Sequence, residues 1–260
     1  MRKWLIALLL VGTETLGAET TYAADDPAAR KLLDAVMAKN AAGFQTGQSK
    51  TALSVKLASG KEKTWLTLAR VVRKDGKMRS RITFLAPPED AGVELLMLEQ
   101  GKGQAAQQFL WLPKTRRLRR IGGSQRNSAF MDTDFSFGDL DGHGMQAGEA
   151  HKLATENVGG VPCQKIEVTM PDPEEAYGKI ELWIDEKLSV PRQMAFYGKD
   201  GKLAKTLTVD AIDNADGKAT LKKFHMQNHQ RGSVTTVETR EMDTKAVLPE
   251  AQFEPDALGR

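Results

Sequence analysis

The chain has 260 residues, with 37 lysines and arginines against 34 aspartates and glutamates, for a net charge of +3. So small an excess excludes the global basic character of a nucleic-acid-binding protein, and the single cysteine, Cys163, excludes an intramolecular disulfide. The length suits one large domain or two small ones.

Arg2 and Lys3 precede an apolar run, Trp4 to Val11, and small residues follow, ending in Tyr22-Ala23-Ala24 before acidic Asp25-Asp26. That is the pattern of a secretory signal peptide. The run falls short of the about 20 residues that span a bilayer. Cleavage is expected after Ala23 or Ala24, with Ala18 as the alternative, and an N-terminal anchor that stays attached is the competing reading. The expected division is residues 1–24 as signal peptide and 25–260 as one exported, soluble domain. Cutting there removes Arg2, Lys3, Glu14 and Glu19, so the net charge stays at +3.

From Pro27 to Asn40 the apolar residues Ala29, Leu32, Leu33, Val36 and Met37 fall at helix spacing. Asp26 before Pro27 is a good cap followed by a good first position, and Gly43 ends the pattern. The chain then alternates like strands. One series is predicted at 48–58, 62–73, 78–85, 92–99, 106–112 and 116–121. A second is predicted at 150–158, 163–170, 177–185, 190–198, 203–212, 218–229 and 233–241. Ser59-Gly60, Lys74-Asp75-Gly76, Gly159-Gly160, Lys199-Asp200-Gly201 and Asp216-Gly217 supply tight turns between them. Short turns join antiparallel neighbours. No composition shift marks a linker. The expected fold is therefore mainly β with a few helices, built as one large, strongly bent antiparallel sheet.

Some strands are apolar on both faces. Val93, Leu95 and Met97 alternate with Leu96 and Leu98, and Phe109 to Leu112 is apolar throughout. Such strands need a cover on each side. The N-terminal helix and the 122–140 segment could supply one. The opposite wall of the sheet, or a ligand, could supply the other.

Residues for chemistry are sparse. His225 and His229 are four apart, but in a strand that spacing is about 13 Å, too far to share a metal. Asp139-Leu-Asp141-Gly-His143-Gly144 begins like a calcium loop, but His143 and Ala150 stand where ligands belong. Gly122-Gly-Ser124-Gln-Arg126 lacks the last glycine of a nucleophile elbow. No phosphate loop or dinucleotide fingerprint is present. Neither a metal, a cofactor nor an enzyme is expected.

The stretch from Trp111 to Leu140 carries more. Lys114, Arg116, Arg117, Arg119, Arg120 and Arg126 are followed by Asp132, Asp134 and Asp139, set among Phe130, Phe135 and Phe137. The order Trp-Leu-Pro, Arg-Arg, Ser-Gln-Arg, Phe, Thr-Asp-Phe-Ser-Phe-x-Asp-Leu resembles the central signature of the outer-membrane lipoprotein-sorting protein family. These are periplasmic proteins with the fold of the lipoprotein carrier LolA. Arg79-x-Arg81-Ile82-Thr83-Phe84-Leu85-Ala86-Pro87-Pro88 resembles that family's strand end before the signature. Gly178 to Asp185 with Pro191-Arg192, and Leu248-Pro249 to Phe253 with Leu258, resemble its later parts. The chain is longer than a typical carrier of this kind, and Gly138 stands where the signature has an acid.

The resemblance implies a half-open β-barrel closed by helices, with an apolar concave face that accepts acyl chains. It implies a lipid or acylated lipoprotein as cargo, an inner-membrane transporter that loads the protein, an outer-membrane acceptor, and transient membrane contact. Candidates for the lining are Phe84, Leu96, Met97, Phe109, Trp111, Met131, Phe135, Trp183, Met194 and Phe196. The alternation alone does not decide which strand face is concave. Phe130 to Phe137 would cover the cavity mouth. Asp132, Asp134 and Asp139 would pair with Arg117, Arg119 and Arg126 as a latch, or the arginines would hold phosphate head groups. A lipid-sensing or regulatory module on the same fold is the alternative, and a closed lipocalin-like barrel or a hydrolase stands behind it.

Overall fold

The computed structural model describes residues 25–38, 46–101, 104–215 and 218–260. The expected signal peptide, Asn40, Gly43 and the Asp216-Gly217 turn lie outside them.

The first described element is helix α1, Pro27–Met37. Asp26 caps it, its carboxylate accepting from the Ala28 amide at 2.8 Å, and Pro27 opens it. Ala29 and Leu33 are its fully buried residues. The helix ends at Met37, earlier than the apolar spacing suggested.

Thirteen strands follow in the order the alternation predicts. They are β1 (Gly47–Lys56), β2 (Glu62–Lys74), β3 (Lys77–Ala86), β4 (Glu94–Leu98), β5 (Gln107–Leu112), β6 (Arg117–Ile121), β7 (Glu149–Val158), β8 (Val161–Thr169), β9 (Lys179–Asp185), β10 (Val190–Tyr197), β11 (Leu203–Ala215), β12 (Lys218–Asn228) and β13 (Ser233–Asp243). They form one antiparallel sheet in the order β6-β5-β4-β3-β2-β1-β13-β12-β11-β10-β9-β8-β7. Every neighbour is a chain neighbour except β1 and β13, whose pairing joins two meanders. Bulges at Lys50/Thr51, Leu66/Thr67 and Val209/Ala211 add local bend and twist. The sheet is curved and open, and the described fold is mainly β with few helices.

β6 and β7 are the two edges. They are consecutive in sequence, so the segment between them, 122–148, must cross the inside of the curve. It holds a 3-10 turn at Gly123–Asn127 and two short helices, α2 (Phe137–Asp141) and α3 (His143–Ala147). Gly142, at φ +63°, ends α2 and begins α3 in the left-handed conformation that favours glycine.

The inner face of the sheet carries two large apolar clusters. One joins α1 to β8–β12 through Leu33, Ile166, Leu182, Met194, Phe196 and Met226. The other covers β1–β6 through Trp65, Phe84, Leu95, Leu110 and Ile121. Leu140 and Val237 pack against both. On the outer face the C-terminal residues, with 3-10 turns at Glu250–Phe253 and Pro255–Ala257, strap β2–β5. A smaller outer cluster gathers Cys163, Trp183 and Ala195, and Cys163 is fully buried.

Candidate functional site

Segment 128–137 is a tight wedge driven into the inner face. Phe130 donates its amide to the Phe135 carbonyl at 2.8 Å, and Phe137 donates to Ser128 at 3.2 Å. Between them the chain reverses with Met131 at φ +49° and Asp132 at φ +61°. The Thr133 hydroxyl closes the turn by donating to the Phe130 carbonyl at 2.6 Å. This geometry sends the aromatic rings to opposite sides. Phe130 and Phe137 enter the β1–β6 cluster, and Phe135 enters the β8–β12 cluster.

The rings stack edge to face. Trp65 meets Phe84 at 6.2 Å, Phe84 meets Phe130 at 5.7 Å, and Phe130 meets Phe137 at 5.5 Å. Phe135 meets Phe224 at 6.3 Å. Such pairs contribute about 0.5–1.5 kcal/mol each beyond the area they bury. The chain's own side chains thus fill the concave face.

Polar anchors hold the wedge. Asp134 is buried and accepts from the hydroxyls of Ser233 at 2.5 Å and Thr235 at 2.7 Å. Thr235 in turn accepts from the Asp134 amide at 2.8 Å. Arg231 donates to the carbonyls of Thr133 at 3.0 Å and Asp132 at 3.2 Å, and lies 3.5 Å from the Asp134 carboxylate. Asp139 forms a capping box with Ser136, which nucleates α2. Its carboxylate also accepts from Tyr177 at 2.9 Å and from the Lys205 ammonium at 2.8 Å. Burial, and then the Asp139 charge beside it, push the Tyr177 hydroxyl far above the ordinary tyrosine range. Asp141 takes both contacts of Arg126 at 2.8 Å.

The predicted latch is therefore corrected. Arg117 and Arg119 do not reach Asp132, Asp134 or Asp139. Those two arginines lie exposed on edge strand β6. The wedge folds towards the opposite half of the sheet, where Lys205 and Arg231 meet it. Arg126 does form an ion pair, but with Asp141 of the same segment. The Asp132 side chain is exposed and only its carbonyl is held.

The lining candidates divide between the two faces. Phe84, Met97, Met131, Phe135, Met194 and Phe196 belong to or pack against the inner clusters. Leu96, Phe109 and Trp111 lie on the outer face beneath the C-terminal strap. Trp183 is also outside, with its indole donating to Glu156 at 2.7 Å and Lys165 over its ring. In β4 both faces are covered, so apolar character could not separate Leu95 from Leu96.

The anchors Arg231, Ser233, Thr235, Tyr177 and Lys205 were missed. Ser233 and Thr235 carried a faint signal, two small hydroxyls two apart on one strand face. Lys205 and Tyr177 carried none, because their partner lies 66 and 38 residues away.

A cleft of about 640 Å³ opens beside the wedge, lined by Val55, Leu57, Lys61, Glu62, Lys63, Glu89, Asp132 and Arg231. Among the described residues no group of three or more histidines, cysteines or acids is placed to hold a metal ion. His225 pairs with Asp210 at 3.0 Å and His229 with Thr206 at 2.8 Å, so each has its own partner. No described helix is long and apolar enough to cross a membrane.

A search of curated proteins gave no match. Among solved structures, an outer membrane lipoprotein-sorting protein domain from Vibrio parahaemolyticus superposes with a TM-score of 0.80 at 23% identity, over 90% of this chain and 99% of that one. A DUF1329 family protein from Desulfovibrio piger matches at 0.80 and 24% identity, over 91% and 100%. A LolA superfamily protein from Nitrosomonas europaea matches at 0.65 and 20% identity, over 88% and 99%. A family model described as "Uncharacterized protein" matches residues 76–260. The chain belongs to that family, and its fold is the LolA-like fold of these neighbours.

Proposed function

We propose that the protein is a non-enzymatic periplasmic carrier. It binds a lipid, or the acyl chains of a lipoprotein, against its inner face and moves that cargo towards the outer membrane. An inner-membrane transporter would load it and an outer-membrane acceptor would receive the cargo. The observation that carries this reading is the inner face itself, a continuous apolar surface whose centre is occupied by a wedge on a connecting segment. The designation of the Vibrio neighbour as a lipoprotein-sorting protein domain points in the same direction.

The energetics suit a carrier. Each methylene removed from water contributes about 0.8 kcal/mol, so a 16-carbon chain gains roughly 13 kcal/mol. Held in a preformed empty cavity, such a chain would leave slowly. Here it must displace Phe130, Phe135 and Phe137, and that displacement offsets much of the gain. Cargo is then exchanged for protein surface in both directions, and release stays accessible.

Native mass spectrometry of the mature chain from a periplasmic extract, followed by lipid extraction, tests this. An acylated molecule near one per chain is expected. A clean apo mass, with no uptake of added phospholipid or acyl-peptide, would overturn the carrier reading in favour of a regulatory binding module.

A further inference from the structure

The wedge uses none of the cations that open its own segment. Lys114, Arg116, Arg117, Arg119 and Arg120 lie within seven consecutive residues, and every residue from Lys114 to Arg120 is exposed. Among the described residues the four arginines have no carboxylate within ion-pair distance. Lys114 makes no ion pair with a described residue either. Several cations elsewhere on the sheet are paired. Arg81 pairs with Glu94 at 2.6 Å, Lys179 with Glu167 at 2.8 Å, and Arg192 with Asp185 at 2.8 Å. Single cations elsewhere on the sheet also lack an acidic partner, but β6 and its turn gather five exposed ones in one short stretch.

Their arrangement says what they meet. The register sets Arg117 opposite Leu112 and Arg119 opposite Leu110, on the inner side of the lip. Arg120 lies opposite Phe109 and Leu118 opposite Trp111, on the outer side. Arg116 sits in the hairpin turn at φ +49°. Positive charge therefore surrounds the edge rather than lining a pocket. A row of arginines also resists the addition of another strand to a free edge. Leu118, 42% exposed, stands among them. A surface of mobile anionic groups over an apolar layer satisfies both features; a single shaped acidic ligand does not.

We propose that β6 with the 113–116 turn is the docking edge for an anionic phospholipid surface. Head-group phosphates take the arginine forks, and Leu118 enters the interfacial layer. The inference deepens the carrier reading, because β6 borders the seam between the two sheet edges that segment 122–148 spans. Docking would present that seam to the bilayer.

The test is co-sedimentation of the mature chain with vesicles of phosphatidylcholine alone or phosphatidylcholine with phosphatidylglycerol. Binding only to the anionic vesicles, lost on raising salt, is expected for the unaltered chain. The triple variant Arg117→Gln, Arg119→Gln, Arg120→Gln should bind on the order of 100-fold more weakly, about fivefold per cation removed. A charge-matched control, Lys77→Gln, Lys152→Gln, Lys187→Gln, should bind nearly as the unaltered chain does. Equal loss in both variants would reduce the effect to net charge and overturn the proposal. So would salt-insensitive binding, or β6-dependent capture of polyglutamate without vesicle binding. Uptake of soluble acyl-peptide is measured separately. Uptake without vesicle binding would sink the docking edge alone, and vesicle binding without uptake would sink the carrier reading alone.

Discussion

At the scale of residues, one buried and one half-buried carboxyl make opposite contributions. Asp134 has no exposed side-chain surface and two hydroxyl donors. Hydrogen bonds to a charged group contribute about 1.5–3 kcal/mol each, and removing the acceptor strands both donors. Asp134→Ala should therefore cost roughly 3 kcal/mol, read as a lower urea midpoint at unchanged slope. A loss under about 0.5 kcal/mol would mean that the wedge is not held here. Glu175 is the reverse case. It lies against Gly144, where even a Cβ would come within 2.8 Å of its carboxylate. Burial first, and then the charges of Asp141 and Asp172, push its carboxyl up despite His143 and Arg126 nearby. The folded state therefore holds this proton more tightly than the unfolded chain. Stability contributed by Glu175 is present below the ordinary glutamate range and falls as pH rises through the raised value. Glu175→Gln should raise the midpoint at pH 7 and leave it nearly unchanged near pH 3.5. An unchanged difference across that range would refute the assignment.

At the scale of elements, strands were legible and faces were not. Alternation and turn residues located all thirteen strands, because each has at least one face whose partner is water or a cover. β4 shows the limit. Val93, Leu95 and Met97 face inward, and Leu96 and Leu98 face a strap contributed by residues some 150 positions later. Nothing local distinguishes those covers. The same reason put Phe109, Trp111 and Trp183 on the wrong side. Of the three acids expected to form a latch, Asp134 and Asp139 do bond through their carboxylates, but to residues far along the chain rather than to the adjacent arginines, and the Asp132 side chain is exposed. The strap itself gives a sharp test. Gly259 has φ +77°, and a Cβ there would lie 2.3 Å from the Trp111 indole. Its amide also donates to buried Glu94 at 2.8 Å. Gly259→Ala combines backbone strain with a clash, each on the order of 1–3 kcal/mol. It should lift the strap and shift Trp111 fluorescence to the red, while Trp183 keeps its environment. Retained stability and an unshifted spectrum would show that the strap yields without cost.

At the scale of the whole molecule, the open sheet and its wedge form one mechanical unit. The β1–β13 pairing runs through nine registered residue pairs at the centre of the sheet, whereas β6 and β7 each have a free edge. Opening free energies follow this difference, with central ladders near the global value and edges or connecting segments lower. The wedge is tied to the sheet by side chains, Asp134, Asp139 and Arg231, and only locally by its own backbone bonds. It can leave without breaking a ladder. An acyl chain entering the inner face must take the volume held by Phe130, Phe135 and Phe137, so hydrogen exchange should change in a fixed pattern. The amides of Phe130, Thr133 and Phe137 should lose protection when acyl-peptide is added, because the 128–137 turn is displaced. Those of β1 and β13 should keep theirs, because the central ladder is not part of the displaced turn. Increased protection at 128–137 would instead place the ligand over a closed wedge, in the mixed cleft beside Asp132 and Arg231. Loss of protection throughout the sheet would mean that cargo unfolds the protein rather than entering it.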